Sequence, residues 1–489
     1  MNSPTPRGPR ARGWLVALLA ATALTAPLAA CHRAGDVGDS AQASFQGSVT
    51  SQQADAMLKV LTDAPSHGFA PNAFPTAGLA DGLKSGDAAT RNTAQGRLVS
   101  EIIAYAKAQH GLSIPKSEMD KSWGMRSSAN YNAAAEFNAA IQGNRLDAWL
   151  AALPPPQPQY EMLRRGYLTY LKVANSGGWQ PVPAGADLKP GSRDPRVAAL
   201  RQRLAFEDTS LAQEPPNTPY DATLARAVQG FQHRHGLKET GIADAPTIAA
   251  LNVPALARAA QIRANLERWR WAPRETPPTR IEVNSVAGVF DLYQDGQPAM
   301  HMLVAAGKPG DETPIVASKI HTVVLNPTWN VPTEIAANEL IPKGQEYLSS
   351  HHFTQDGDKL VQQPGPGNSL GQVKFLFDNP YSVYLHDTPS RAAFAQTQRS
   401  VSHGCVRLER AADLAKYLLG REAGWSPDRV DQTMAGNDTQ NIALKQPVPV
   451  AIYYWTAFVE GDQVSFRDDI YGWDAATLRA LDGAGVGHA

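Results

Sequence analysis

The first half of the chain places its apolar residues at the spacing of α-helices. Leu98 and Ile102 begin one apolar stripe, and Leu163 and Tyr167 begin another, with polar residues between them. This pattern predicts helices through residues 50–180. No group of residues in that segment points to a particular chemistry, and we interpret the segment as a helical scaffold domain.

A shorter helical pattern follows and is compact enough to form a unit of its own. Asp194 and Asp221 stand where helix N-caps are expected, each just before an apolar stripe. The stripes are Val197, Leu200 and Leu204; Leu224, Ala227, Val228 and Phe231; and Ile248 and Leu251. They predict three short helices around one small core in residues 188–254, a size at which a domain is only marginally stable alone.

From about residue 280 the apolar period changes from helical to alternating. Residues 280–284 and 448–455 are predicted strands, and the stretches on either side of Asp295-Gly296 form a predicted hairpin. The strand pattern stops between residues 334 and 371. Long inserts beside functional sites are often lids, so we expect this insertion to cover a neighbouring site and to order when substrate binds.

Length and composition agree with a protein of several globular domains. A chain of 489 residues has room for about three domains. Charged residues make up 19% and the formal net charge is −1, so nothing indicates a nucleic-acid partner. The predicted fold class is multi-domain. It comprises the helical scaffold, the three-helix module, a mixed β-rich α+β domain at 255–470 with the inserted lid, and a frayed C-terminal tail at 471–489.

The N-terminus carries a targeting signal. Three arginines in the first twelve residues precede an apolar run from Trp14 to Ala30, which predicts a secretory signal peptide at residues 1–30. The run ends in Leu28-Ala29-Ala30-Cys31, which resembles a lipobox. Cys31 is therefore expected to be lipidated, with residues 31–49 as a tether to the membrane. A plain signal peptide or an uncleaved anchor are the alternatives. By the sorting habits of lipoproteins, His32 favours the outer membrane, and the expected compartment is the periplasm.

Cys405 is the candidate nucleophile. The chain has two cysteines, so lipidation of Cys31 would leave Cys405 as the free thiol. A free thiol is mostly protonated at neutral pH, and attack therefore requires a base within hydrogen-bond reach. His386 is the candidate base, because it ends a predicted strand at 382–386 that places Tyr384 on the same face.

The surroundings of Cys405 suggest where an oxyanion would be held. Helical spacing resumes after Arg407, so Cys405 lies in a strand-to-helix passage where the amides of Gly404 and Cys405 can face a developing negative charge. Two other interpretations remain open. Cys405 could be a small buried hydrophobe, or it could join His386 and His403 in a zinc site, although that spacing is not a familiar zinc motif.

The residues around Cys405 resemble the signature of the L,D-transpeptidases, whose catalytic domain is of the YkuD type. His386 followed by Ser402-His403-Gly404-Cys405-Val406-Arg407 matches every fixed position of that signature. The stretches 326–332, 364–368 and 374–377 are similar to the large YcbB-type subgroup. Within the three-helix module, residues 227–252 are similar to the peptidoglycan-binding domain type 1.

The resemblance implies a role for each matching residue. Cys405 would be the nucleophile and His386 the general base, with the amides of Gly404 and Cys405 and the side chain of Tyr384 around the oxyanion. His403 is placed with this catalytic group. The residues implied to shape or bind the substrate are Tyr384, Trp329, Arg407 and Asp387.

The same resemblance implies an activity in the cell wall. The protein would join tetrapeptide stems of peptidoglycan into 3→3 cross-links through a thioester on Cys405, with no metal or cofactor. Carbapenem-type inhibitors would acylate Cys405, and other wall-synthesis proteins are candidate partners. With water as acceptor the protein would instead be an L,D-carboxypeptidase or a hydrolase. A catalytically inert lipoprotein that tethers the wall is the alternative from another class.

Overall fold

The structure is a computed structural model that describes residues 48–126, 128–213, 215, 218–357 and 359–483. The predicted signal peptide, the lipidation site Cys31 and nearly all of the predicted tether lie outside these residues. None of the described helices is long and apolar enough to cross a membrane.

The predicted N-terminal helices are present. They are α1 (Ser51–Asp63), α2 (Leu79–Leu83), α3 (Ala88–Gln109), α4 (Ala133–Gln142), α5 (Leu146–Ala151) and α6 (Pro158–Asn175). Side-chain oxygens of Thr50 and Asp87 accept main-chain N–H groups at the starts of α1 and α3, as N-caps do. The apolar faces of α1, α3 and α4 meet in one core that contains Met57, Leu98 and Phe137.

The predicted three-helix module is confirmed. Its helices are α7 (Arg196–Leu204), α8 (Ala222–Arg234) and α9 (Ala245–Leu251). Asp221 caps α8 and Asp244 caps α9 through their side-chain oxygens. The apolar stripes turn inward to a core in which Leu200, Leu224 and Phe231 are fully buried.

The last domain follows α10 (Ala255–Trp271) and is built on strands that close on themselves. The strands are β1 (Arg280–Asn284), β2 (Val289–Gln294), β3 (Gln297–Gly307), β4 (Val316–Leu325), β5 (Trp329–Asn330), β6 (Phe353–Asp356), β7 (Lys359–Gln362), β8 (Val373–Phe377), β9 (Leu385–His386), β10 (Ser400–Ser402), β11 (Val406–Leu408), β12 (Gln440–Tyr453), β13 (Ala457–Glu460) and β14 (Gln463–Phe466). Eight of these strands form a closed barrel, because β2 pairs with β3 and so joins the two ends of the order β3-β11-β9-β8-β4-β12-β1-β2. The short strand β10 also pairs with β3. Because β9–β11 and β1–β12 are parallel whereas their other neighbours are antiparallel, the sheet is mixed, as predicted.

The insertion at 334–371 has a small fold of its own. It contains α11 (Thr333–Ile335), which continues into a π-helical turn at Ala336–Leu340, and α12 (Gln345–Ser350). β7 pairs with both β5 and β6, so the prediction that strands stop throughout this segment is wrong. Three of the four residues of β6 are exposed, so the sequence there shows no apolar alternation. The buried residues Leu340, Leu348, Phe353 and Leu360 form a core separate from that of the barrel.

The predicted β2–β3 hairpin is confirmed, and its turn has the expected chemistry. Asp295 and Gly296 have φ values of 51° and 80°, as a two-residue hairpin turn requires. Alternate residues of the barrel strands, such as Phe290 and Phe375, point into one buried core. The helix α13 (Ala411–Leu419) lies just after β11 and adds Leu414 to that core.

Two further expectations differ from the structure. β9 begins at Leu385 rather than at residue 382, because Ser382 has φ 56° and lies in a turn. After α14 (Pro427–Met434), the chain ends its described part in α15 (Trp473–Gly483), so the prediction of a frayed tail is wrong for these residues. Trp473, Thr477 and Leu481 recur at helical spacing and are buried, which holds α15 in place.

A buried ion pair on α10 ties the helical region to the strand domain. Glu267 and Arg270 lie 2.6 Å apart, and both side chains are fully buried. Arg270 also donates to Gln109 of α3 at 3.2 Å and to the hydroxyl of Tyr160 of α6 at 3.3 Å. Its guanidinium lies 4.0 Å from the centre of the Phe69 ring. Since α10 leads into β1, this cluster connects the scaffold helices to the start of the barrel.

Replacing Glu267 by glutamine leaves the Arg270 guanidinium buried without its carboxylate. We expect the free energy of unfolding, measured in urea, to fall by about 3 kcal/mol, as when one partner of a buried ion pair is removed. The matched control is Asp431→Asn, which breaks the solvent-exposed pair with Lys416 (2.7 Å) and is expected to change stability little. Equal losses in both variants would contradict the role given to the α10 pair.

Candidate active site

Strand register places the predicted catalytic residues on one face of the barrel wall. His386 of β9 is opposite Arg407 of β11, and Lys374 of β8 is opposite His386. Because side chains alternate along a strand, Tyr384 shares the face of His386, and Cys405 shares the face of Arg407. The other face of these strands is apolar and buried in the barrel core. Polar chemistry is thus confined to one side of three neighbouring strands.

Tyr384 is the immediate neighbour of the Cys405 sulfur. Its main-chain N–H and its hydroxyl both face Sγ and favour the thiolate over the thiol. The Trp329 side chain in turn faces the Tyr384 hydroxyl, and the ring centres of Tyr384 and His386 lie 5.6 Å apart. Cys405 itself is partly exposed, so a substrate can reach it. Four residues predicted from the sequence therefore meet at one point.

His386 is buried and neutral. Its Nδ1 lies 2.5 Å from the carbonyl oxygen of Asp387, so Nδ1 carries the proton and donates it, which leaves a lone pair on Nε2. Burial, together with the nearby charges of Arg407 and Lys374, lowers the pKa of His386 to about 3. In the described residues no hydrogen bond joins His386 to Cys405. Such contacts often tighten only when substrate binds, and the role of His386 as base stays a prediction.

Asp387 directs its carboxylate at the protein rather than at Cys405. Oδ2 accepts the N–H of Gln372 at 2.9 Å, and Oδ1 accepts from Arg391 at 2.8 Å. Gly371 has φ 61°, and a Cβ there would lie 2.2 Å from Oδ2, so this approach requires glycine. These contacts fix the position of Asp387, whose main-chain carbonyl accepts the hydrogen bond from His386. The substrate-binding role expected of Asp387 stays a prediction.

Cys405 lies in the turn between β10 and β11, so the predicted strand-to-helix passage is wrong. In the described residues this turn leaves two main-chain N–H groups without an acceptor. Gly404 has φ 98°, a conformation that favours glycine. The carbonyl of Gly404 accepts from Thr313 at 2.8 Å, and the carbonyl of Cys405 accepts from the Ser402 hydroxyl at 2.5 Å. Among the described residues, no acceptor lies on the N–H of Gly404 or of Cys405. With the carbonyls held by hydroxyls, these N–H groups can bind an oxyanion.

His403 contacts the insertion at 334–371. Its Nε2 lies 2.7 Å from Oε1 of Glu339, in the π-helical turn of that insertion, and 3.4 Å from Nζ of Lys308. Both His403 and Glu339 are partly exposed, and contacts between exposed polar side chains contribute little to stability. The contact nevertheless links the insertion to the residue two positions before Cys405. That the insertion acts as a lid stays a prediction.

Lys374, Glu339 and Thr313 also lie around the site, although no role was predicted for them. The signal for Lys374 was available, since a lysine between apolar neighbours in a strand must point away from the core. Glu339 and Thr313 reach the site only through the folded chain. No three His, Cys, Asp or Glu side chains stand close enough to hold a metal within the residues described, so His386, His403 and Cys405 do not form the zinc site left open above.

Three segments of the chain match known families. Residues 278–452 match the L,D-transpeptidase catalytic domain (YkuD), residues 45–166 match a scaffold domain, and residues 193–251 match the "Putative peptidoglycan binding domain". The strand domain around Cys405 therefore matches the family that the motif resembles, the L,D-transpeptidase catalytic domain. The resemblance to the YcbB-type subgroup stays a prediction.

Individual relatives cover parts of the chain. A protein of Haemophilus influenzae described as "Putative L,D-transpeptidase" is 32% identical over 217 residues, which is 40% of this chain and 44% of the relative. This chain thus spans less than half the length of that relative.

Among solved structures, an L,D-transpeptidase from Mycobacterium smegmatis shares 17% identity over 36% of this chain and 58% of its own, with a TM-score of 0.20. The catalytic domain of an E. faecium L,D-transpeptidase acylated by ertapenem shares 15% sequence identity with this chain. The match covers 37% of this chain and 99% of that domain, with a TM-score of 0.21. Scores this low carry no argument about this chain.

The protonation states of the site predict a simple pH dependence. Burial raises the pKa of the Cys405 thiol above its usual value, and the pKa of His386 is about 3, so the thiolate is a minor species between pH 6 and 8. We expect the rate of Cys405 alkylation by iodoacetamide to rise about tenfold per pH unit across that range, because the thiolate is the nucleophile. Mass spectrometry of a Cys31→Ser chain measures the rate, with Cys405→Ala as control. A rate independent of pH below 7 would indicate a preformed thiolate–imidazolium pair and contradict this account.

Proposed function

We propose that this protein is a peptidoglycan L,D-transpeptidase that joins tetrapeptide stems by 3→3 cross-links. The observation that carries the proposal is the setting of Cys405. The thiol lies against Tyr384, on one face with a neutral His386, and next to two main-chain N–H groups without acceptors. Acyl transfer through a thioester requires these three groups, namely a nucleophile, a base and donors for the oxyanion.

The first half-reaction would form the acyl-enzyme. Sγ of Cys405 attacks the carbonyl carbon between the third stem residue and the terminal D-alanine, while Nε2 of His386 takes the thiol proton. The N–H groups of Gly404 and Cys405 hold the oxyanion of the tetrahedral intermediate. When this intermediate collapses, the C–N bond breaks and the amine of D-alanine leaves with the proton from His386. A thioester to the tripeptide remains on Cys405.

The second half-reaction would transfer the acyl group. A side-chain amine on the third residue of another stem attacks the thioester, and His386 takes the proton that the amine loses. The C–S bond then breaks, and His386 returns the proton to Cys405. The enzyme is restored, and the new amide is the cross-link. Trp329 and Arg407 border this site and are our candidates for shaping the donor pocket.

The proposal includes a place of action. The module at 193–251 belongs to a family described as peptidoglycan-binding, which supports a substrate in the wall. The segment ending in Cys31 supports export and lipid anchoring in the periplasm, with other wall-synthesis proteins as partners. Because a carbapenem presents a strained acyl carbonyl to the same thiol, we expect compounds of this class to acylate Cys405.

The test supplies the purified protein with disaccharide-tetrapeptide and follows the products by mass spectrometry. We expect a cross-linked dimer and free D-alanine in equal amounts, with both absent for Cys405→Ala, since that variant cannot form the thioester. Tripeptide and D-alanine without dimer would overturn the transpeptidase in favour of the L,D-carboxypeptidase. Binding to isolated wall without any product would favour the inert tether.

A further inference from the structure

Lys374 is a partly buried cation close to the nucleophile. It lies in β8 between the buried residues Val373 and Phe375, and therefore points to the face that carries Cys405. Its Nζ lies 3.8 Å from the centre of the Tyr384 ring, and the hydroxyl of that ring faces the Cys405 sulfur. Its position is thus set by strand register and by contact with an aromatic face.

Lys374 has no acidic partner among the described residues. The one described acidic group that acts on its ammonium is Cys405, once its thiol has lost the proton. Arg407 also lacks an acidic partner among the described residues. Its buried Nε has no hydrogen-bond partner there, and Cys405 is again the acidic group that acts on it. The two acids of the loop after β3 have other partners. Asp311 pairs with Lys308 at 3.2 Å, and Glu312 accepts the N–H of Gly310 at 2.8 Å.

Burying a cation without an anion beside it costs free energy, and in the described residues no anion offsets that cost for Lys374. Contact with the Tyr384 ring offsets part of that cost for Lys374. The rest is recovered when a negative charge forms beside Lys374. In the reaction proposed above, that charge forms first on the sulfur of Cys405.

We propose that Lys374 is a positioning residue whose ammonium, held against the Tyr384 ring, stabilises the Cys405 thiolate and thereby sets the reactivity of the nucleophile. The proposal rests on the proposed function only in taking Cys405 as the nucleophile. Burial raises the pKa of the Cys405 thiol, and Tyr384, Lys374 and Arg407 oppose that rise. His386 faces the same site but is neutral, so the cations rather than an imidazolium compensate the sulfur.

The test measures alkylation of Cys405 at pH 7.5 in the full-length chain carrying Cys31→Ser, with neutral iodoacetamide and anionic iodoacetate. We expect Lys374→Met to slow iodoacetamide about tenfold, which corresponds to one unit of thiol pKa. Iodoacetate should slow further, because the variant also loses attraction for an anion. Lys374→Arg, which keeps the charge, is expected to retain most of both rates. Lys374→Gln carries the same expectation as Lys374→Met if the latter folds poorly.

The matched control is Lys319→Met, which removes an exposed lysine from β4, the strand next to β8, and is expected to leave both rates unchanged. Equal rates for Lys374→Met and the parent chain, at unchanged melting temperature, would overturn the proposal. Slowing confined to iodoacetate would also overturn it, because Lys374 would then attract anions without stabilising the thiolate. The assay contains no stem peptide, so its result does not depend on which acyl acceptor the enzyme uses.

Discussion

The hydrogen-bonding register of β8, β9 and β11 is the constraint on which the site depends. It aligns Lys374, His386 and Arg407 across three strands, and it brings Tyr384 beside Cys405. A shift of one residue in any of these strands would turn its polar side chains into the barrel core and its apolar side chains outward. The closed barrel prevents such a shift, because each of the three strands is paired on both sides. Folding and catalytic geometry are therefore specified by the same pairing.

Within the described residues, this register places the cations Lys374 and Arg407 near Cys405, while the carboxylate of Asp387 is held by Arg391 and by the N–H of Gln372. Burial, together with the neighbouring charges of Arg407 and Lys374, keeps the imidazole of His386 neutral, while both cations favour a negative charge on Cys405. A neutral His386 and a Cys405 thiolate that is less unfavourable than burial alone would make it are thus two consequences of one arrangement. The arrangement disfavours a resting imidazolium on His386. The N–H groups of Gly404 and Cys405, which have no acceptor among the described residues, would likewise stabilise a negative charge that forms beside them.

Much of this could be predicted from the sequence where the signal is local. The strand at Arg280–Asn284 and the turn at Asp295-Gly296 follow from alternation and turn chemistry, and the structure has both. The motif around Cys405 likewise indicated the family model that residues 278–452 match, because its residues are contiguous apart from His386. The helix α15 was missed, since its buried face is recognisable only against partners distant in sequence.

The rest of the site depends on contacts that sequence spacing does not reveal. The nearness of Lys374 to Tyr384 follows from the pairing of β8 with β9, and the contact of Glu339 with His403 follows from the path of an insertion. In both cases the partners come from separate elements, and each element alone gives no sign of the other. The local sign of this part of the site is a charged residue, Lys374, in the middle of an otherwise apolar strand.

The most direct test is to observe the acyl-enzyme itself. A Cys31→Ser chain is mixed with excess disaccharide-tetrapeptide, quenched in acid within seconds, and weighed intact by mass spectrometry. We expect an added mass equal to the disaccharide-tripeptide acyl group, mapped to Cys405 after proteolysis. Release of D-alanine with no such adduct at any time, or an adduct on another residue, would contradict a thioester on Cys405.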